Sequence, residues 1–147
     1  LGMLANSGAS LLILEATAVE AAGRITHGDL GLYNDENEAA LSRVMAAVRR
    51  YGTAKLGIQV SHAGRKASAQ RPWEGGRSLP AGQGEWQTIA PSAIPFAEGW
   101  PAPRAFEAED FQRVRDGFVA TAERAARLGF DLMELHGAHG YLLHSFL

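Results

Sequence analysis

Short apolar runs alternate along the chain with stretches in which apolar residues recur every three or four positions. The runs at residues 10–15, 55–60 and 131–135 contain "LLIL", "KLGIQV" and "DLMEL", and each is too short for a buried helix. The stretches 36–51 and 108–128 carry apolar stripes with helical spacing. We therefore predict three strands buried on both faces and separated by helices, which indicates an α/β fold with a parallel sheet.

The ends of the predicted helices carry capping residues. Asp35 and Glu38 have the spacing of a capping box, so we expect Asp35 to cap the first long helix and Gly52 to close it. Gly129 is expected to end the second long helix. In "LGMLANSG", we expect Gly8 to be the C-cap of a helix whose last turns open the chain.

The stretch 62–106 has no sustained periodicity and contains all six prolines and all three tryptophans. A connection of this length inside a compact fold is usually functional or disordered, and the tryptophans favour an ordered excursion over the surface. An insertion without a role in function remains the alternative. We find no linker that divides the chain, so residues 1–147 are expected to form one domain or part of one.

Composition narrows the classes of protein. Hydrophobic residues make up 46% of the chain, and the net charge is −2 with acids and bases interspersed, which argues against nucleic acid or an anionic membrane as partner. The absence of cysteine excludes disulfides and thiolate chemistry. We expect a cytoplasmic protein, since the sequence has neither an 18-residue apolar run nor a signal-peptide pattern. Leu1 is not Met and Leu147 lies within an apolar run, so a longer protein is expected.

Each predicted strand ends in polar residues. Glu15 follows "LLIL", Gln59 lies in "GIQVSH", and Glu134 and His136 lie in "LMELH". In parallel α/β folds, ligands bind outside the carboxyl ends of the strands. These side chains are therefore expected to line one rim.

The most specific pattern is His136-x-x-His139-x-Tyr141. Two imidazoles that converge on one point can each donate a hydrogen bond to the same oxygen, which would polarise a carbonyl and stabilise an enolate. A nearby tyrosine hydroxyl could then supply a proton.

Two other interpretations of the histidines stay open from the residues alone. His136 and His139 could be zinc ligands, for which a third ligand would come from His62, Glu134 or His144. They could also simply cap the strand. The sequence contains neither HExxH nor a phosphate loop of the GxxxxGK type.

Four motifs, in this order along the chain, resemble the old yellow enzyme family of FMN-dependent ene-reductases, in particular its thermophilic-like bacterial branch. They are "LLILEATAV…GRIT", "GIQVSHAGRKA", "APSAIPF" and "ELHGAHGYLLHSFL". The resemblance implies a (β/α)8 TIM barrel with FMN at its carboxyl mouth. The chain would be a fragment that carries the second, third and fourth strands, with the first strand and the phosphate-binding loops outside it.

The resemblance also implies roles for individual residues. The alanine beside the flavin falls on Ala16, and the glutamine that hydrogen-bonds the pyrimidine edge of the flavin falls on Gln59. The substrate-binding histidines fall on His136 and His139, with Gly137 and Ala138 between them.

The catalytic proton donor of the family falls on Tyr141. The implied activity is transfer of hydride from NADPH or NADH through FMN to the activated C=C bond of an enal, enone or similar small molecule. The full-length protein would be a homo-oligomer. A dienoyl-thioester reductase or an amine demethylase of the same superfamily, a metal-dependent hydrolase that uses the histidine pair, and a non-catalytic binding remnant are the alternatives.

Overall fold

The computed structural model describes residues 1–147. Three strands form a parallel sheet in the order β1 (Leu11–Ala18), β2 (Lys55–Ser61) and β5 (Leu132–Leu135), and a separate parallel pair joins β3 (Ile89–Ala90) to β4 (Arg104–Ala105). The predicted α/β class, the three parallel strands and the two long helices are confirmed. The predicted burial of all three strands on both faces is wrong, because Leu132, Met133 and Leu135 of the last strand are 41–59% exposed. In chain order the elements are α1 (Gly2–Ala5), β1 (Leu11–Ala18), α2 (Asp35–Tyr51), β2 (Lys55–Ser61), β3 (Ile89–Ala90), β4 (Arg104–Ala105), α3 (Ala108–Arg127) and β5 (Leu132–Leu135).

The two faces of the sheet differ in what covers them. On one face Leu14, Ile58 and Val60 are buried in a core that Phe118 and other helix-side residues complete. The opposite face carries Ile13, which remains 40% exposed. At the centre of this second face is Gly57, where a Cβ atom would lie 3.1 Å from Ile13 and 3.2 Å from Leu132. The neighbouring side chains therefore close over the glycine.

The predicted cap of α2 is wrong by one residue. Asn34, not Asp35, is the N-cap, because it has an extended backbone and its side chain accepts the Asn37 amide at 2.8 Å. Asp35 is the first helical residue. Glu38 does not complete a capping box but turns to arginines of α3.

Of the three glycines predicted to end helices, two lie where they were predicted and one lies beyond its helix. Gly52 is the C-cap of α2, as predicted, although its backbone is extended. Gly129 follows α3 with φ +76°, the left-handed conformation that glycine adopts most easily. Helix α1 ends earlier than predicted, because its C-cap is Asn6 and Gly8 lies beyond it.

The apolar stripe of α2 is only partly buried. Met45 and Val48 lie in a core cluster with Leu56, but Val44 and Tyr51 are exposed. Periodicity alone therefore predicts too wide a buried face for this helix.

The long connection 62–106 is ordered, as predicted. It contains β3 and β4 and folds back on the end of β1, where Trp86 donates its indole N–H to Ala22 O at 3.0 Å. Trp73, in contrast, is 80% exposed. None of the helices is at once long enough and apolar enough to cross a membrane.

Candidate active site

The polar ends of the three parallel strands meet at one edge of the sheet, as their parallel direction requires. Gln59 of β2 and Glu134 of β5 are cross-strand neighbours, and Gln59 Nε2 donates to Glu134 Oε1 at 3.0 Å. His136 continues β5 by one more bond, since its amide donates to Val60 O at 3.0 Å. The hydrogen bonds between β2 and β5 thus fix the position at which the turn that carries His136 and His139 begins.

Ala16 lies where the β1 strand is irregular. The pairing with β2 slips between Leu14 and Thr17, and the Thr17 hydroxyl turns back to donate to Glu15 O at 2.9 Å. A bulge bends a strand and re-aims its side chains. The half-buried methyl group of Ala16 therefore lies at a bend near the carboxyl end of β1.

The His136 ring is held by the turn that follows it. His136 is only 6% exposed, and the Ala138 amide donates to its Nδ1 at 3.3 Å. Because Nδ1 accepts this bond, the proton of the neutral ring is on Nε2. Ala138 thereby contributes its backbone, while Gly137 is exposed and a Cβ there would meet nothing within 4 Å.

His139 has a backbone conformation that is uncommon for a residue with a side chain. Its φ is +59°, and Gly140 follows with φ +72°. For a residue with a side chain, such as His139, this conformation costs about 1–3 kcal/mol and persists only where surrounding contacts hold it. Two contacts do so here, because Tyr141 N donates to Ala138 O at 3.1 Å and Lys66 Nζ donates to His139 O at 3.0 Å.

The two imidazoles converge. His136 Nε2 and His139 Nδ1 lie 3.2 Å apart, and the rings are nearly perpendicular at 83°. A ligand oxygen about 3 Å from both nitrogens is therefore within hydrogen-bonding geometry. Without such a ligand, the N–H of His136 points at His139 Nδ1 and donates to it.

Tyr141 lies beside the pair. Its ring centroid is 4.8 Å from that of His136 and 6.3 Å from that of His139. Burial raises the pKa of Tyr141 above its usual 10, and the negative charge of Asp29 raises it further. The hydroxyl consequently keeps its proton at neutral pH.

The surroundings keep His136 neutral. Burial lowers the pKa of His136 below its usual 6.5, and repulsion from His139 and Lys66 adds to this effect, while Glu134 opposes it. A neutral imidazole with its proton on Nε2 is a hydrogen-bond donor without a charge of its own.

Sequence reasoning missed Lys66. Besides the bond to His139 O, its ammonium group lies 5.2 Å from the Tyr141 ring centroid and 4.6 Å from that of Phe96. Lys66 also lines a cavity of about 710 Å³ that extends from Glu15 to Trp100. The basic "GRKA" segment was the available signal, but its contact with a residue 73 positions away cannot be inferred from one sequence.

The other histidines are elsewhere or differently engaged. The exposed His144 accepts the Gly140 amide at 2.7 Å, and His62 bonds to Glu20. No three His, Cys, Asp or Glu side chains are grouped so that they could hold a metal ion.

Comparison with known proteins identifies the family. The model of the NADH:flavin oxidoreductase / NADH oxidase family matches residues 2–147. The chain is 45% identical over 151 residues to "NADH:flavin oxidoreductase FG08077" of Gibberella zeae, covering 100% of this chain and 36% of that protein. It is 46% identical to an NADPH dehydrogenase of Listeria monocytogenes, covering 97% of this chain and 38% of that protein. The chain belongs to the NADH:flavin oxidoreductase / NADH oxidase family.

Solved structures give the architecture of which this sheet is a part. The chain superimposes on morphinone reductase in complex with tetrahydroNAD with a TM-score of 0.73 and 28% identity, covering 94% of this chain and 39% of that one. Morphinone reductase is a TIM barrel, so the fold is part of a (β/α)8 barrel, as predicted. The chain spans less than two fifths of the length of these relatives.

The family and the names of the relatives point to FMN as cofactor with NADH or NADPH as hydride donor. The chemistry of the sheet edge fits FMN. The Gln59 amide offers a donor and an acceptor, and its Oε1 has no partner among the side-chain hydrogen bonds of the chain. The pyrimidine edge of a flavin presents the complementary N–H and C=O groups. Ala16 has a small, half-buried side chain at the bend of β1.

Proposed function

We propose that the protein containing this chain reduces activated C=C bonds of small α,β-unsaturated carbonyl compounds, using FMN and NADPH or NADH. The observation that carries the proposal is the 3.2 Å separation of His136 Nε2 and His139 Nδ1, with the Tyr141 ring in contact. This arrangement offers two donors to one oxygen and one acid to a neighbouring atom.

The histidine pair binds the carbonyl oxygen of the acceptor. Two N–H donors withdraw electron density from the conjugated system, so the β-carbon becomes a better acceptor for hydride. When hydride adds there, the electron pair of the C=C bond moves towards the carbonyl oxygen, where the donors stabilise the enolate charge. A neutral His136 suits this role, because it does not attract an anion that the carbonyl oxygen of the acceptor would first have to displace.

Tyr141 completes the reaction by donating its hydroxyl proton to the α-carbon. Its raised pKa keeps the proton in place until the enolate forms, and the enolate is the base that takes it. Solvent then restores the proton. The net change is addition of one hydride and one proton across the C=C bond.

Gln59 and Ala16 would hold FMN, with Gln59 as the hydrogen-bonding residue and Ala16 as the neighbour that admits the ring. When bound, FMN would supply the hydride that it receives from NADPH or NADH.

The proposal is tested with the intact protein under anaerobic conditions, with NADPH or NADH and 2-cyclohexen-1-one. Cyclohexanone should form, with deuterium at the β-carbon when the nicotinamide is deuterated at C4 and at the α-carbon when the solvent is D₂O. A dienoyl thioester and a methylated amine serve as competing substrates. Turnover of either in place of the enone, or deuterium only from solvent, would contradict the proposal.

A further inference from the structure

A third histidine, outside the proposed oxygen-binding pair, is completely enclosed. The His62 side chain has no exposed surface, and it follows directly on the end of β2. Its Nε2 lies 2.8 Å from Glu20 Oε1, and its Nδ1 accepts the Gly64 amide at 3.0 Å. Because Nδ1 is an acceptor, Nε2 carries the proton and donates to Glu20.

The Glu20 carboxylate that accepts the His62 N–H belongs to an ionic network. Glu20 is also bonded by Arg113 of α3, which bonds Asp110 at 2.8 Å. Asp110 in turn accepts two bonds from Arg104 at 2.6 and 2.7 Å. Burial alone would raise the pKa of Glu20, but hydrogen bonds from His62 and Arg113 outweigh it and lower that pKa. The network ties the segment after β1 to the first turns of α3 and to β4.

The backbone of His62 faces the proposed active-site turn. Its carbonyl accepts the Leu142 amide at 2.9 Å, and this amide belongs to the peptide bond that leaves Tyr141. The loop after His62 also packs closely against this segment, since a Cβ at Gly64 would lie 3.0 Å from both the Cα and the N of Leu142. The ring and the carbonyl of one residue therefore connect the ionic network to the tyrosine segment.

We propose that His62 is a positioning residue that fixes Tyr141 relative to the sheet, with Glu20 as the acceptor that locks its ring. The proposal rests on the function given above, because it assigns His62 a role through the proton donor of that reaction.

The test is a kinetic cycle in the intact, flavin-loaded protein. Glu20→Ala removes the acceptor of the His62 ring and should slow reoxidation of the reduced flavin by the enone about 10-fold, within the roughly 10²-fold that a misplacement of about 1 Å can cost. In a Tyr141→Phe background, Glu20→Ala should change this rate by less than about 2-fold, since the positioned proton is already gone. Reduction of the flavin by NADPH should keep its rate throughout.

Two variants serve as matched controls. Glu20→Gln retains an oxygen acceptor for His62 and should restore most of the lost rate. Arg115→Gln changes an exposed arginine of α3, the helix that carries Arg113. Arg115 pairs with Asp116, and its replacement should not change the rate of reoxidation. Equal slowing by Glu20→Ala in both backgrounds, or no rescue by Glu20→Gln, would overturn the proposal.

A spectroscopic measurement separates this proposal from the proposed function. In protein with ¹³C-labelled tyrosine, the Tyr141 ring resonances should move in Glu20→Ala and stay in Arg115→Gln. An unmoved resonance overturns the positioning role, whatever the kinetics. If the resonance moves but Tyr141→Phe does not slow the enone step, the positioning role stands and the assignment of Tyr141 as acid fails. If Glu20→Ala does not retain flavin, His62→Leu replaces it, because leucine occupies the place of the ring but cannot donate to Glu20.

Discussion

His136 Nε2 lies 3.2 Å from His139 Nδ1 across a turn in which His139 adopts a left-handed backbone. Two N–H groups cannot point at each other over this distance, and His136 already has its proton on Nε2. In the free protein, His139 Nδ1 must therefore be the acceptor. A ligand oxygen that receives a bond from each ring requires His139 to move its proton to Nδ1.

This requirement predicts a change of tautomer on ligand binding. Long-range ¹H–¹⁵N correlation spectra should show His139 protonated on Nε2 in the free protein and on Nδ1 when 4-nitrophenol saturates the site. His62, held by Gly64 and Glu20, should remain protonated on Nε2 in both states. An unchanged His139 tautomer at saturation would mean that His136 alone donates to the oxygen.

Replacing both histidines should separate the two binding functions of the site. The double variant His136→Ala, His139→Ala loses two hydrogen bonds of about 0.5–1.5 kcal/mol each, so the Kd of 4-nitrophenol should rise roughly 5- to 150-fold. Flavin affinity should stay within about 3-fold, because Gln59 and Ala16 are intact. Absorbance titration measures both affinities, and Arg115→Gln, at an exposed residue of α3 that pairs with Asp116, is the control. Loss of flavin with phenol affinity preserved would reverse the assigned roles.

The close contact at Gly64 predicts a graded loss of stability. Gly64→Ala places a methyl group 3.0 Å from the Leu142 backbone and imposes a side chain at φ +60°. Gly82→Ala imposes similar strain at φ +79° but meets no atom within 4 Å. Strain alone should lower the free energy of unfolding by about 1–2 kcal/mol, and the contact at Gly64 should add about 1–3 kcal/mol. Denaturant unfolding compares the two, and equal losses would show that the loop shifts freely away from Leu142.

The ion pairs of Glu38 predict that the folded protein loses stability at acid pH. Arg127 donates to it at 2.8 and 2.9 Å, and these bonds, with those from Arg124, lower the pKa of Glu38 from 4.5 to about 2. A lowered pKa contributes stability that is complete above pH 4.5 and is lost as the pH falls towards 2. Melting temperatures measured from pH 6 to pH 3 should therefore fall less steeply in Glu38→Gln than in the parent. Glu36→Gln removes an acid from the same first turn and should keep the parental slope.

The sheet and its polar edge can be predicted from the sequence because both depend on local pattern. Short apolar runs indicate buried strands, and parallel strands place Gln59 and Glu134 at a common edge. The cap of α2 is less determined, since Asn34 and Asp35 are both suitable caps and only the extended backbone of Asn34 decides between them.

The fine geometry of the site depends on contacts between distant parts of the chain. Lys66 and His139 are 73 residues apart, and their bond helps to hold the left-handed turn on which convergence of the two rings depends. The His62–Glu20 bond spans 42 residues. Neither pairing has a periodic signal, because each joins a single side chain to a single partner.

The measurement that tests the central claim most directly is stopped-flow analysis of Tyr141→Phe in the intact, flavin-loaded protein. The change keeps the ring and its contact with His136 but removes the proton. Reoxidation of the reduced flavin by 2-cyclohexen-1-one should slow by roughly 10²–10⁴, the usual contribution of a positioned general acid, while reduction by NADPH should be almost unaffected. An unchanged rate of reoxidation, or equal slowing of both half-reactions, would contradict the role of Tyr141 as the proton donor beside the histidine pair.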